Sequence, residues 1–228
     1  MLTESNKNVL RYGGLAGVAG GVLMIAVFAL VIILVGPEPA GLEGPISRAP
    51  DIKALRTVEN VLYLASLVLW AMPYLALHRA LRDTSPAASL FGSALGLLGL
   101  GVIAAGAIPH LVTSPLSDLY HAADATADSR TSLALIWHAN QDLFEALLLT
   151  GMLITTAGTV LLGAAMFRNP LLGTKFGITG VATGGVGLAA CLVAAIDPGS
   201  LVVALGLFAL IGFHITLGWK LHRLGRPE

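Results

Sequence analysis

The stretch GGLAGVAGGVLMIAVFALVIILV, residues 13–35, decides the fold of this chain. It contains no charged residue, and a helix needs about 20 apolar residues to span a hydrocarbon core of about 30 Å. Lys7 and Arg11 precede it, as basic residues precede a secretory signal. Its apolar core is longer than the roughly 7–15 residues of such a signal. The stretch therefore predicts an uncleaved first membrane span.

The rest of the chain has the same apolar character. Hydrophobic residues make up 56% of the 228 residues and charged residues only 11%, whereas a soluble domain carries about 25% charged residues. No stretch remains that would bury a separate soluble core, so residues 1–228 are predicted to form one transmembrane domain. Breaks at charges and at Pro or Gly clusters predict an all-α polytopic bundle of six spans, near residues 14–35, 58–78, 87–111, 141–167, 176–196 and 200–221.

The charged residues divide unequally between the two sides of this predicted bundle. One side has nine of the 13 Lys and Arg residues and three acidic residues, Glu4, Asp83 and Glu228. The other side has four basic and ten acidic residues. The excess of Lys and Arg predicts that the first side, with both termini, faces the cytoplasm of a cell membrane. That side suits membrane lipid of negative charge, and the pattern indicates no nucleic-acid partner.

Two long connections lie on the side opposite the termini. Residues 36–57 contain Pro and Gly in many places, so most of this segment is expected to be irregular. Within it, residues 52–57 are expected to begin the second helix early. In the other connection, residues 116–128 are expected to form a short helix at the membrane interface.

Glycine recurs at spacings of three and four in the first, third and fifth spans. Small residues let helix backbones approach closely in lipid, so these three helices are expected to form the close-packed centre. The same glycine faces also suit a ligand pocket or a homo-oligomer, with Gly96 and Gly184 as positions to test. Cys191 is the only cysteine, which excludes an intramolecular disulfide and a cysteine metal cluster.

Ionisable residues on four spans share one depth. At about 1.5 Å per residue, Glu59, His110, Glu145 and Asp197 lie about 30–36 Å from basic residues or from the start of the span at the cytoplasmic side. A polar helix face adds to this ring, because positions 138, 141, 142 and 145 are three and four residues apart. The predicted site therefore comprises residues at the outer edge of the hydrocarbon: Glu59, His110, His138, Gln141, Asp142 and Glu145.

Three functions fit this polar ring. The first is binding or passing a small ligand, a cation or a lipid, at an outer-facing cleft between the second, third and fourth spans. The second is a metal-assisted hydrolase near the lipid headgroups, with a divalent metal held by His110, His138 and Glu145. The third is a structural or assembly subunit that docks through its glycine faces. Hydrogen bonds at the helix ends explain the same residues without any site, and no catalytic residue is assigned.

Several short motifs give the chain a family resemblance. They are Arg11-Tyr12-Gly13-Gly14-Leu15, the run from Leu77 to Leu81, His138, and Phe167-Arg168 with Gly173 and Phe176-Gly177. On these residues the chain resembles a family of uncharacterised multi-pass bacterial and archaeal proteins, the domain of unknown function forty-three eighty-six. The resemblance implies a six-helix membrane fold over nearly the whole chain. It implies no established activity, so no residue role is carried over, and Asp142 and Glu145 have no place in that pattern.

Overall fold

The computed structural model describes residues 4–197 and 200–226, which form helices and connections without a strand. The helices are α1 (Glu4–Ala29, continued by a π-helical turn, Leu30–Val35), α2 (Gly44–Leu81), α3 (Pro86–Ala105), α4 (Ala107–Tyr120), α5 (Ala127–Met166), α6 (Gly173–Ile196) and α7 (Val202–Leu224). Glu228, which is predicted to lie on the same side as both termini, is outside the described residues.

Six spanning segments pack in a ring. In the described chain, α1 with its π turn, α2, α3 with α4, α5, α6 and α7 are each long and apolar enough to cross a membrane. Around the ring, α1 packs on α2, α2 on α3, α3 on α5, α5 on α6, α6 on α7, and α7 on α1. α4 packs beside this ring, against α2 and α5. Both described ends of the chain lie at one end of the bundle, the terminal end; the opposite one is the loop end.

The outside of the ring is apolar along its length. Ile33 is 75% exposed, Leu98 58%, Leu192 59% and Leu205 61%, and these residues belong to four different spans. Soluble proteins rarely expose apolar surface so continuously, because it is costly in water. The predicted all-α bundle of six membrane-spanning helices is confirmed.

The bundle interior is closed by a cluster of aromatic side chains. The rings of Trp70 and His214 stack with their centroids 4.3 Å apart, and Tyr74 meets the same histidine edge-on at 5.5 Å. The Nδ1–H of His214 donates to the carbonyl of Leu210 at 2.8 Å. The Tyr74 hydroxyl lies 3.3 Å from Oγ1 of Thr159. Hydrogen bonding and stacking therefore account for the one histidine that is fully inside the bundle.

The glycine-rich helices pack differently from the prediction. In the described residues, α1, α3 and α6 do not contact one another, because each lies between two other helices of the ring. A Cβ on Gly158 of α5 would meet the Gly92 carbonyl of α3 at 2.6 Å, and a Cβ on Gly180 would meet Gly163 at 2.8 Å. The expected glycine centre is wrong: the glycines close each seam between neighbouring helices, where backbones approach most closely.

The helices at the loop end are longer than predicted. α2 begins at Gly44 and α5 at Ala127, so all of residues 44–57 is helical. Residues 52–57 do belong to the second helix, but the expectation that most of 36–57 is irregular is wrong. The expected short helix over 116–128 is displaced, since α4 ends at Tyr120. The reason is tertiary packing, which local patterns do not report. A second small core joins the starts of α2 and α5 to α4, and its buried members are Ile46, Ala49, Leu116, Tyr120, Ala134 and Trp137.

Candidate functional site

A cavity of about 350 Å³ lies in the loop half of the bundle, among α1, α2, α4, α5 and α7. Its size is at the small end of the range of about 300–1,000 Å³ that ligand pockets occupy. Four of the six predicted site residues line it: Glu59, His110, Gln141 and Glu145. We call it the acidic cavity, because Glu38, Glu59 and Glu145 line it against a single arginine, Arg56.

An ion-pair network forms one wall of the acidic cavity. Arg56 lies 2.9 Å from a carboxylate oxygen of Glu59 and 3.0 Å from one of Glu38. Glu59 is the more enclosed partner, with its side chain 12% exposed against 42% for Glu38. One guanidinium thus neutralises one of the three carboxylates that line the cavity. The lining keeps two formal negative charges.

Aromatic rings also line the acidic cavity. The His110 and Phe144 rings stack at 4.3 Å, and Tyr63 lies 6.4 Å from the same phenylalanine. Among the described residues, the buried hydroxyl of Tyr63 has no hydrogen-bond partner. A buried polar group in that condition costs about 1–3 kcal/mol, so it needs an explanation. The oxygen has almost no accessible surface, so a ligand or an ordered water in the cavity would reach it only with a small shift of the ring.

The floor of the acidic cavity is apolar. Met24, Val27, Phe28 and Val31 come from α1 and its π turn, and Leu207 comes from α7. Phe28 also packs on Phe208, with ring centroids 5.1 Å apart. The cavity therefore offers carboxylates at one level and hydrocarbon at another. That arrangement suits an amphipathic molecule.

A strap, residues 36–43, connects α1 to α2 and contributes Glu38 to the cavity wall. Gly36 begins it with φ = 67°, a conformation that glycine adopts without strain, and so turns the chain away from the π turn. The strap is attached at both ends. Arg48 donates to the carbonyls of Val35 and Pro37, and the Tyr120 hydroxyl donates to Glu43 at 2.6 Å.

The other two predicted site residues do not reach the acidic cavity. Nε2 of His138 lies 3.0 Å from the carbonyl oxygen of Leu42, so this histidine attaches the strap to α5. Asp142 lines a separate cavity of about 670 Å³ between α5, α6 and α7, together with Glu145. The polar face of α5 is therefore divided: Gln141 and Glu145 reach the acidic cavity and the other two side chains do not.

The predicted metal ligands His110, His138 and Glu145 are also divided by this arrangement. His110 and Glu145 line the acidic cavity, whereas His138 is hydrogen-bonded to the strap. Within residues 4–197 and 200–226, no three His, Cys, Asp or Glu side chains are grouped closely enough to hold a metal ion. A divalent metal stays an untested prediction, as does a hydrolase that would use it.

Sequence reasoning missed three residues of this site: Glu38, Arg56 and Tyr63. A signal for two of them was present, because positions 56, 59, 60 and 63 follow the helical spacing of one face of α2. That face carries Arg56, Glu59, Asn60 and Tyr63, a polar stripe that continues into the membrane. Glu38 gave no such signal, since its position depends on the path of the strap.

The glycine faces suggested for partner docking are occupied within the chain. A Cβ on Gly96 would meet the ring of Tyr74, and one on Gly184 would meet the carbonyl of Thr156 at 2.7 Å. Leucine at either position would therefore disturb the bundle itself. Homo-oligomer formation stays a prediction, and these two glycines are poor positions to test it.

Six apolar spans around a partly polar interior define a multi-pass membrane protein. The chain belongs to the family described as Domain of unknown function (DUF4386), whose model matches residues 20–223. The resemblance drawn from the sequence is thereby confirmed, although the match begins after the motif at residues 11–15. No curated protein and no solved structure matches the chain.

Proposed function

We propose that this membrane protein binds a small organic cation with an apolar body in the acidic cavity. The observation that carries the proposal is the lining itself, three glutamates against one arginine around a partly open cavity of about 350 Å³. Uncompensated carboxylates at the edge of the hydrocarbon are costly unless a positive charge joins them. A bound ammonium group would supply that charge.

The remaining walls support the same class of ligand. The Tyr63 and Phe144 rings lie beside the carboxylates, and a cation over an aromatic face gains about 0.5–2 kcal/mol. The unpartnered Tyr63 hydroxyl can accept a hydrogen bond from an N–H group. Met24, Phe28 and Leu207 would contact the apolar body. Charge, aromatic faces and hydrocarbon thus favour an amphipathic amine over a neutral or anionic molecule.

The test is calorimetric titration of the detergent-purified protein with three molecules of matched shape. 4-Phenylbutylammonium carries the positive charge, 4-phenylbutanol is neutral, and 4-phenylbutyrate is negative. We expect binding of the amine only. The variant Glu59→Gln should weaken it about tenfold or more, because a hydrogen bond to a charged group contributes about 1.5–3 kcal/mol. Glu145→Gln should have a similar effect.

The matched control is Glu4→Gln, an exposed glutamate in the first turn of α1 at the terminal end of the bundle. It makes the same chemical change far from the cavity and should leave the affinity unchanged. Equal binding of the alcohol and the amine would show that the carboxylates do not select the ligand. So would equal affinities of the wild type and Glu59→Gln.

We also propose that both termini lie in the cytoplasm, so that the acidic cavity faces the outside of the cell membrane. The support is the excess of Lys and Arg at the terminal end. Cys191, the only native cysteine, is buried and provides a silent background. In intact cells, a membrane-impermeant maleimide should label Asp124→Cys at the loop end. It should label Asp83→Cys only after permeabilisation, and the reverse pattern would refute the orientation.

A further inference from the structure

A third cavity, of about 150 Å³, lies between α2, α4 and α5 beside the acidic one. Arg56, Asn60, His110 and Gln141 line both cavities and form their common wall. The lining of this cavity differs in its chemistry from that of the acidic cavity, because it contains no carboxylate. Its polar members are Lys53, Arg56, Thr57, Asn60, His110, Thr113, Ser114, Ser117, Trp137 and Gln141. We call it the hydroxyl-lined cavity.

The decisive group in this lining is the indole of Trp137. The residue is only 7% exposed, and its Nε1–H is buried without a hydrogen-bond partner among the described residues. Indole nitrogen is a donor and never an acceptor, so the missing partner must be an acceptor. Two cationic side chains and several hydroxyls surround the same space. The Trp137 nitrogen itself has almost no accessible surface, so an anion would first meet the cationic side chains and the hydroxyls. This lining favours an oxyanion over a cation.

The two cations are already paired at the rim. Lys53 lies 3.1 Å from Asp118, and Arg56 contacts Glu38 and Glu59, but none of these carboxylates lines the hydroxyl-lined cavity. An anion would thus meet positive side chains whose counter-charges lie outside this lining. Long-range attraction is reduced by this pairing, and direct hydrogen bonds carry the recognition.

The depth of the cavity in the membrane indicates which class of molecule carries the oxyanion. Along α2, Arg56 is about 35 Å from Arg79, slightly more than the hydrocarbon thickness of about 30 Å. Lys53 and Arg56 therefore lie at the level of lipid phosphates. One and two turns deeper, the lining becomes apolar with Val61 and Leu64. This gradient matches a phospholipid, whose phosphate and acyl chains are stacked in the same order.

The mouth of the cavity is open to the bilayer. Val61 on α2 and Leu111 on α4 both line the cavity, and each is 61% exposed on the apolar outside of the bundle. An acyl chain can lie along this crevice while its headgroup reaches the hydroxyls. We infer that the hydroxyl-lined cavity is a lateral binding site for the phosphoryl group of a membrane phospholipid.

The experiment uses delipidated full-length protein in detergent, with microscale thermophoresis as the readout. The probes are dihexanoylphosphatidylglycerol, dihexanoylglycerol and inorganic phosphate. We expect the phospholipid to bind, and the diacylglycerol and inorganic phosphate to bind at least tenfold more weakly. Diacylglycerol binding as tight as the phospholipid would overturn the phosphoryl assignment. Phosphate binding equally tightly would overturn the lipid source.

Two variants test the lining, each with a control. Trp137→Phe removes the N–H and keeps an aromatic ring, and should weaken phospholipid binding about tenfold or more, the value of one hydrogen bond to a charged oxygen. Trp219→Phe, at an exposed tryptophan of α7, should not. If Trp137→Phe fails to fold, Ser117→Ala is compared with Ser47→Ala, which lies outside the cavity. Unchanged affinity in Trp137→Phe or Ser117→Ala would overturn the site.

Discussion

The two halves of this bundle are built from the same six spans, but different residues lie between the helices in each half. In the terminal half, helices meet through glycine: a Cβ on Gly218 would lie 2.6 Å from the carbonyl oxygen of Gly14, and one on Gly163 would lie 2.8 Å from the carbonyl carbon of Gly180. In the loop half, charged and aromatic side chains such as Arg56 and Phe144 separate the helices, and three cavities lie between them. Residue size at the seams therefore decides which half is closed and which is open.

The two halves also differ in what they contribute, stability in the terminal half and the candidate sites in the loop half. Close backbone contact supplies most of the dispersion energy that holds helices together in lipid, where no hydrophobic drive remains between them. The terminal half can supply that stability. Buried polar groups without a partner among the described residues are not confined to the loop half, since Arg11 Nε and Trp70 Nε1 are two of them. In the loop half, however, the residues that carry such groups, Tyr63 and Trp137, line cavities. Filling a glycine seam and removing the Tyr63 hydroxyl should accordingly change stability with opposite signs.

The largest expected effect is in the terminal half. Gly218→Ala places a Cβ against the Gly14 carbonyl and the Val18 nitrogen, backbone atoms that cannot rotate away, and should destabilise the protein by about 2 kcal/mol or more. The matched control is Gly212→Ala on the same helix, where a Cβ meets nothing within 4 Å. Equilibrium unfolding in detergent mixed with SDS measures both. Equal stabilities would show that the glycine seams do not hold the bundle.

A smaller effect of opposite sign is expected in the loop half. Tyr63→Phe removes a buried hydroxyl that has no partner in the described protein, so the ligand-free protein should gain about 1 kcal/mol of stability. Tyr74→Phe is the control, because its hydroxyl contacts Thr159 and its loss should destabilise. The same unfolding assay distinguishes them. A destabilised Tyr63→Phe protein would mean that the hydroxyl already has a partner.

The smallest global effect is expected at the strap. Tyr120→Phe removes a part-buried hydrogen bond to Glu43, whose carboxylate is open to solvent, so overall stability should fall by less than about 1 kcal/mol. Local opening should respond more clearly, with hydrogen exchange of residues 36–43 rising roughly threefold to tenfold. Tyr12→Phe, at an exposed tyrosine of α1, serves as the control. Unchanged exchange in Tyr120→Phe would indicate that the strap is held by its other contacts.

The spans were predictable because the bilayer imposes a length that a sequence shows directly. Measuring along each helix from its basic end also brought out Glu59, His110 and Glu145, which line one cavity. The boundaries of α2 and α5 were not predictable, since Pro45 and Pro50 read as loop residues until the small core around Ile46 is considered. Helix-to-helix contacts of that kind are absent from local patterns.

The sequence predicted how deep the site residues lie along their helices, but not the direction in which their side chains point. Depth depends on position along one helix, whereas the direction of a side chain within the bundle depends on how helices pack. His138 and Asp142 share a face with Glu145 by spacing, yet one bonds the strap and the other lines a different cavity. The glycine pattern predicted close helix contacts but not between which helices, because spacing along one helix does not identify the helix that packs on it.

The length of α2 and α5 has a mechanical consequence. With 38 and 40 residues, they are about 57 and 60 Å long, roughly twice the hydrocarbon thickness. The hydrocarbon therefore cannot enclose their whole length, and their portions at the loop end, which pack on α4, are continuous with the walls of both cavities. Because Arg56 of α2 and Gln141 of α5 line both cavities, a movement of either helix would change the shape of both at once.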